Sequence, residues 1–210
     1  MTDTTAEVLT NGAAAAEHVA PGGAPPRPVI QIVPLRGLPV VAVVIGFLAA
    51  SIGFNWQWGL DFNHVAGGAL WTGIDLFVGL VVGPILGRLS IPARAEFSAR
   101  FMPKMVLLMP TLVAMTLASG FQLALDLGNL KASSPNHSWL IASFIVVGVM
   151  AVVALGLLEP ANLAVLFEMR KPRPDGEVIA KLMKRFIYTA GLTGLMQVAT
   201  LIIMTRVASQ

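Results

Sequence analysis

"FNHVAGGALWTGIDLFVGLVVGPILGRL", residues 62 to 89, decides the fold class. From His64 to Gly87 it carries one acid, Asp75, and no Lys or Arg. As a helix rising about 1.5 Å per residue, such a run exceeds the roughly 30 Å of a bilayer's hydrocarbon core. Four further apolar blocks, residues 38 to 56, 103 to 126, 138 to 159 and 186 to 205, have similar length and character. The chain is 56% hydrophobic and 12% charged, where a soluble domain carries about 25% charged residues, and its mean hydropathy is +0.77. These features predict an all-α membrane protein with five transmembrane helices. Barrel strands would alternate in polarity over about ten residues, and no such alternation occurs.

Residues 1 to 28 are rich in Ala, Gly, Pro and Thr, with no basic residue before Arg27 and no continuous apolar region. The stretch reads as neither a secretory signal nor a span. It buries too little apolar surface to offset the entropy of ordering, so residues 1–35 are expected to form a disordered tail that includes His18, and residues 36–210 the helical membrane domain.

The net charge of +3 and pI near 9.7 raise the question of nucleic acid. The basic residues instead lie beside the apolar blocks, without interleaved aromatics for base stacking, and sort by topology. Twelve of the fourteen fall before the first block (Arg27, Arg36), between the second and third (Arg88, Arg94, Arg100, Lys104), or between the fourth and fifth (Arg170 to Arg185); only Lys131 and Arg206 lie elsewhere. The positive-inside rule then places the protein in the cell membrane with its N-terminus in the cytoplasm and its C-terminus outside. His64 and His137 fall on the outer side. Residues 89 to 104 are expected to form a short interfacial helix and residues 170 to 177 a Pro-rich hinge. The expected partners are the lipid bilayer and other membrane subunits, not nucleic acid.

The absence of cysteine removes disulfides, thiolate metal sites and cysteine nucleophiles. No nucleophile–base–acid trio, P-loop, GxGxxG unit or HExxH helix is present, so no enzyme class is assigned.

The chemistry candidates lie in the opening stretch. His64, Gly68, Trp71, Asp75 and Gly79 follow at steps of four, three, four and four, a single stripe on a helix that should face protein. An ionised Asp near the bilayer centre costs at least about 2.5 to 3.5 kcal/mol, so Asp75 is expected to be protonated, hydrogen-bonded or beside water. One reading makes it a neutral anchor between helices, with Gln197, about 18 Å of rise from Arg185, as partner by depth. The other makes it a proton relay or part of a cofactor site. His64 is a candidate ligand for haem iron or copper, sharing its face with Trp71 and Asp75. His137, in a loop after "KASSPN", is a weaker candidate, explained by a position at a helix N-terminus.

Gly191 and Gly194 permit close helix approach. Glu159-Pro160 is expected to kink or end the fourth span, freeing carbonyls that Asn162 would satisfy. The ten Met residues suit packing better than copper binding.

Three stretches together resemble the CopD-like and HemJ-like group of small helical membrane proteins: "HVAGGALWTG" (64 to 73), "VVGPILGRL" (81 to 89) and "RFMPKMVLLMPTLVAMTLASG" (100 to 120). They make up 40 of the chain's 210 residues. The resemblance implies a four-helix bundle core formed by the second to fifth spans, with the N-terminal span as an addition, and implies haem b on His64. The protoporphyrinogen-oxidase branch carries a Trp-Leu-His-x-Lys signature. This chain reads "SWLIASF" from Ser138 to Phe144, keeping Trp139 and Leu140 but placing Ile141 and Ser143 where the histidine and lysine stand. The functional expectation is therefore a membrane protein of this group that binds haem b and has a redox or accessory role. The alternatives are a transport or permeation protein, such as one for copper uptake, and an accessory subunit of a membrane complex.

Overall fold

The computed structural model describes residues 32–209, so His18, Arg27 and most of the expected tail lie outside the described residues. Five helices are long and apolar enough to cross a membrane: α1 (Leu35–Gly53), α2 (Gln57–Arg88), α3 (Ile91–Asp126), α4 (His137–Met169) and α5 (Gly176–Ala208). Among the described residues there is no strand. Within the expected tail, Ile32 packs against the core and Leu35 opens a 3-10 turn that leads into α1.

The core lies between α2, α3, α4 and α5, where Trp71, Val78, Met102, Met150, Val165, Met183 and Phe186 are buried together. α2 packs on α3 and α5, α4 on α5, and α3 meets α4 chiefly along Glu159–Met169. α1 rests outside this group against α2 and α3. Its most apolar stretch is only 11% buried, against 33% in α2, which leaves most of its apolar surface on the outside of the bundle. Met102, Met105, Met109, Met115, Met150 and Met183 all fill the interior, the packing role expected of them.

Three sequence expectations are corrected here. Residues 89 to 104 do not form a separate interfacial helix: from Ile91 they are the first turns of α3, which runs unbroken through Pro103 and Pro110. Of the two outcomes expected at Glu159-Pro160, a kink or an end of the fourth span, the structure excludes the end. The helix widens to a π-turn over Ala154–Leu158 and continues to Met169. α2 does the same over Val78–Val82, just before Gly83-Pro84. Proline lacks the N–H for the bond to residue i−4 and its ring crowds that carbonyl, and a wide turn placed before it relieves both without breaking the helix. Finally, Asn162 satisfies no freed carbonyl: its Nδ2 donates to the Glu159 side chain at 3.3 Å.

The connections follow local rules. α3 ends at Gly128, whose φ of +67° is the left-handed conformation that glycine adopts most easily, with Asn129 N–H returning to Ala124 C=O at 3.0 Å. Asp175 caps α5, accepting from the amides of Glu177 and Val178. The connections at residues 89–90, flanked by Arg88 and Arg94, and at residues 170–175, with Arg170, Lys171 and Arg173, lie at one end of the bundle. At the other end Phe47, Trp56, Trp58 and Phe62 form a contiguous aromatic group of the kind that settles at a membrane–water boundary.

Candidate functional site: the polar contacts of α2

Most buried hydroxyls donate within their own helix. Ser51, Thr72, Ser98, Thr116, Ser119 and Thr189 each donate to the carbonyl four residues earlier in their own helix, which satisfies the group locally. Cross-helix polar contacts radiate instead from α2. Asn63 Nδ2 lies 3.4 Å from Ser51 Oγ of α1, His64 Nδ1 lies 2.9 Å from Thr116 C=O of α3, and Asp75 is bound by α5.

Asp75 is 2% exposed. Its Oδ2 accepts from Thr193 Oγ1 at 3.0 Å and from Gln197 Nε2 at 2.9 Å, and Trp71, one turn away on α2, is buried as well. Gln197 is the partner expected from depth. Thr193 escaped the sequence reading, although its place four residues before Gln197, on the same helix face, was a usable signal. Among the described residues no Lys or Arg makes an ion pair with Asp75. The Thr193 hydroxyl also lies 3.1 Å from Thr189 C=O and 2.9 Å from Ala190 C=O, so its single proton has alternative acceptors. Gln197 Oε1 is buried without a partner.

Close helix approach makes these contacts possible. A Cβ on Gly79 would stand 2.5 Å from Gly191 Cα, and one on Gly194 would stand 3.0 Å from Leu76. The two α5 glycines therefore serve the role expected of them.

The stripe from His64 to Gly79 does face protein, but it meets two neighbours. His64 belongs to the α2–α3 contact, while Asp75 and Gly79 belong to the α2–α5 contact. Eleven residues separate His64 from Asp75, about 16 Å along the helix axis. Trp71 is buried beside Asp75. His137 is the first residue of α4, the helix-terminal position expected for it, with Nδ1 buried and unpartnered.

A haem on His64 fits poorly. With Nδ1–H donated to Thr116, Nε2 keeps the lone pair that a metal needs. However, the ring is packed on Gly120, where a Cβ would come within 2.5 Å of it. A cofactor requires a cleft of roughly 300 to 1,000 Å³; two clefts of that size, about 400 and 710 Å³, lie toward the basic end, and neither is lined by His64. Among the described residues no group of three or more His, Cys, Asp or Glu side chains is placed to hold a metal ion.

Comparison with protein-family models, curated proteins and solved structures finds no match for the chain. The functional reading therefore rests on the geometry.

Proposed function

We propose that this chain is a multi-pass protein of the cell membrane that takes up and releases a proton at Asp75 as part of transport or permeation. The observation that carries the reading is a buried carboxyl whose hydrogen bonds, among the described residues, come from two neutral donors on α5, Thr193 and Gln197. Intramembrane acids pair with a cation, anchor helices as neutral hydrogen-bonding groups or serve as proton sites; among the described residues Asp75 has no cation, and the alternative acceptors of the Thr193 hydroxyl favour the proton site over the anchor. The Thr193 hydroxyl can serve both protonation states. When Asp75 is ionised, Thr193 donates to it. When Asp75 carries a proton, Thr193 turns its hydrogen to the carbonyl of Thr189 or Ala190 and accepts from the acid. Both protonation states are then hydrogen-bonded by rotation of one hydroxyl, without displacement of a helix.

The distribution of basic residues supports an orientation with the N-terminus and both basic connections in the cytoplasm. This reading corresponds to the permeation alternative drawn from the sequence, and it does not depend on the CopD-like resemblance. A haem-dependent redox role is not proposed, given the surroundings of His64.

The test is proton flux into liposomes that contain the purified chain and a pH-sensitive dye. Asp75→Asn keeps a hydrogen-bonding side chain but cannot release a proton near neutral pH. It should fold and insert like the wild type yet lose the protein-dependent flux. Flux at the wild-type rate in a folded Asp75→Asn protein would reject proton carriage and leave Asp75 as a helix anchor.

A further inference from the structure

The larger cleft, of about 710 Å³, opens between α2 and α5 toward the basic end. Its walls are apolar, with Leu80, Pro84, Ile187, Leu192 and Leu195 among them, and its rim is open: Leu80, Leu192 and Leu195 are each more than half exposed. Two cations, Arg94 and Lys184, line it, and no acid does. From Leu195 to Lys184 the cleft runs about 16 Å along α5, close to the 15 Å or so of one leaflet of the hydrocarbon core.

We propose that this cleft binds one anionic phospholipid from the leaflet at the basic end of the bundle, with an acyl chain along the cleft and the phosphate between Lys184 and Arg94. The cations are placed for this. Arg94 uses Nε and Nη2 on the carbonyls of Leu89 and Gly87 at 2.9 and 2.8 Å, which fixes the guanidinium at the end of α2 and leaves Nη1 for a ligand oxygen. Lys184 Nζ stands 5.7 Å from the centre of the Tyr188 ring, and Tyr188, itself a lining residue, has the amphipathic form that suits the headgroup boundary. Asp75 and Gln197 do not line the cleft, so this site is independent of the proton reading.

Native mass spectrometry of the full chain, released from a neutral detergent in an equimolar mixture of phosphatidylglycerol and phosphatidylcholine, tests the proposal. One phosphatidylglycerol should be retained in preference to phosphatidylcholine. Lys184→Gln should lower that retention about fivefold, the equivalent of about 1 kcal/mol for one cation near an anionic headgroup. Gly87→Leu should lower it further by filling the headgroup end of the cleft, where an added Cβ meets nothing within 4 Å. Lys131→Gln, in the connection at the opposite end, should leave it unchanged, and thermal melting of each variant confirms that it is folded. Equal retention of the two lipids, wild-type retention in either Lys184→Gln or Gly87→Leu, or a second copy of the chain bound in place of lipid would overturn the assignment.

Discussion

Gly79 of α2 and Gly191 of α5 meet backbone to backbone, and the contact is asymmetric. A Cβ on Gly79 would stand 2.5 Å from Gly191 Cα, whereas a Cβ on Gly191 would stand 3.4 Å from Gly79 Cα. The first distance cannot be relieved by a side-chain rotation, because backbone occupies the space. The second is close to ordinary contact. Since Asp75 lies one turn from Gly79 and is bound by α5, the separation of these two helices sets whether its hydrogen bonds form.

The asymmetry gives a paired prediction. Gly79→Ala should destabilise the bundle by about 1 to 3 kcal/mol, the usual cost of overpacking, while Gly191→Ala should cost far less. Thermal melting in detergent would read the difference. Equal melting temperatures for the two variants would contradict the close crossing.

The hydrogen bonds on Asp75 should be energetically coupled. Asp75→Leu is expected to lose about 0.6 to 2 kcal/mol, as membrane hydrogen bonds do, and Gln197→Leu and Thr193→Val to lose comparable or smaller amounts. Combined with Asp75→Leu, each α5 substitution should add less than it does alone, because its partner is already gone. Strict additivity in the double-mutant cycles, measured by reversible unfolding, would mean that the contacts contribute nothing to stability.

The sequence made the five spans legible because each is an apolar run of bilayer length, and it made the inward stripe legible because helical period alone aligns His64, Trp71 and Asp75. Depth counting also found Gln197. It did not show where the helices end: the early turns of α3 carry Arg94, Glu96 and Arg100, which look interfacial, while Phe97, Ser98 and Met102 on another face continue into the packed bundle. The π-turns before Pro84 and Pro160 were equally hidden, since proline signals a break in the α pattern but not whether a helix stops or widens. The division of the stripe between α3 and α5 depends on how helices cross, and one helix's periodicity carries no information on that.

His64 and Gly120 offer a test of the α2–α3 contact. In the wild-type background Gly120→Ala should be costly, by about 1 to 3 kcal/mol, because the new methyl would occupy the space of the imidazole and force it from Thr116 C=O. In a His64→Ala background the same substitution should be nearly neutral. A similar cost in both backgrounds, measured by thermal unfolding, would mean that Gly120 does not hold the ring. The surroundings of the ring also predict no stoichiometric Soret band after incubation with haem b, and a band that His64→Ala abolishes would restore the ligand assignment.

The orientation can be checked residue by residue, and the lack of native cysteine makes the background clean. Arg173 lies in the connection between α4 and α5, at the end that also carries Arg88, Arg94 and Lys171, while Ser133 lies in the connection between α3 and α4. Because basic segments next to spans are retained on the cytoplasmic side, Arg173→Cys in intact cells should resist a membrane-impermeant maleimide and react only after permeabilisation. Ser133→Cys should react in intact cells. Arg173 is itself one of the charges that set the topology, so Ser90→Cys, in the short α2–α3 connection, repeats the measurement without removing a cation. Labelling of Ser90→Cys from outside, with Ser133→Cys protected, would invert the protein in the membrane. It would also move the cleft lined by Lys184 and Arg94 to the outer leaflet.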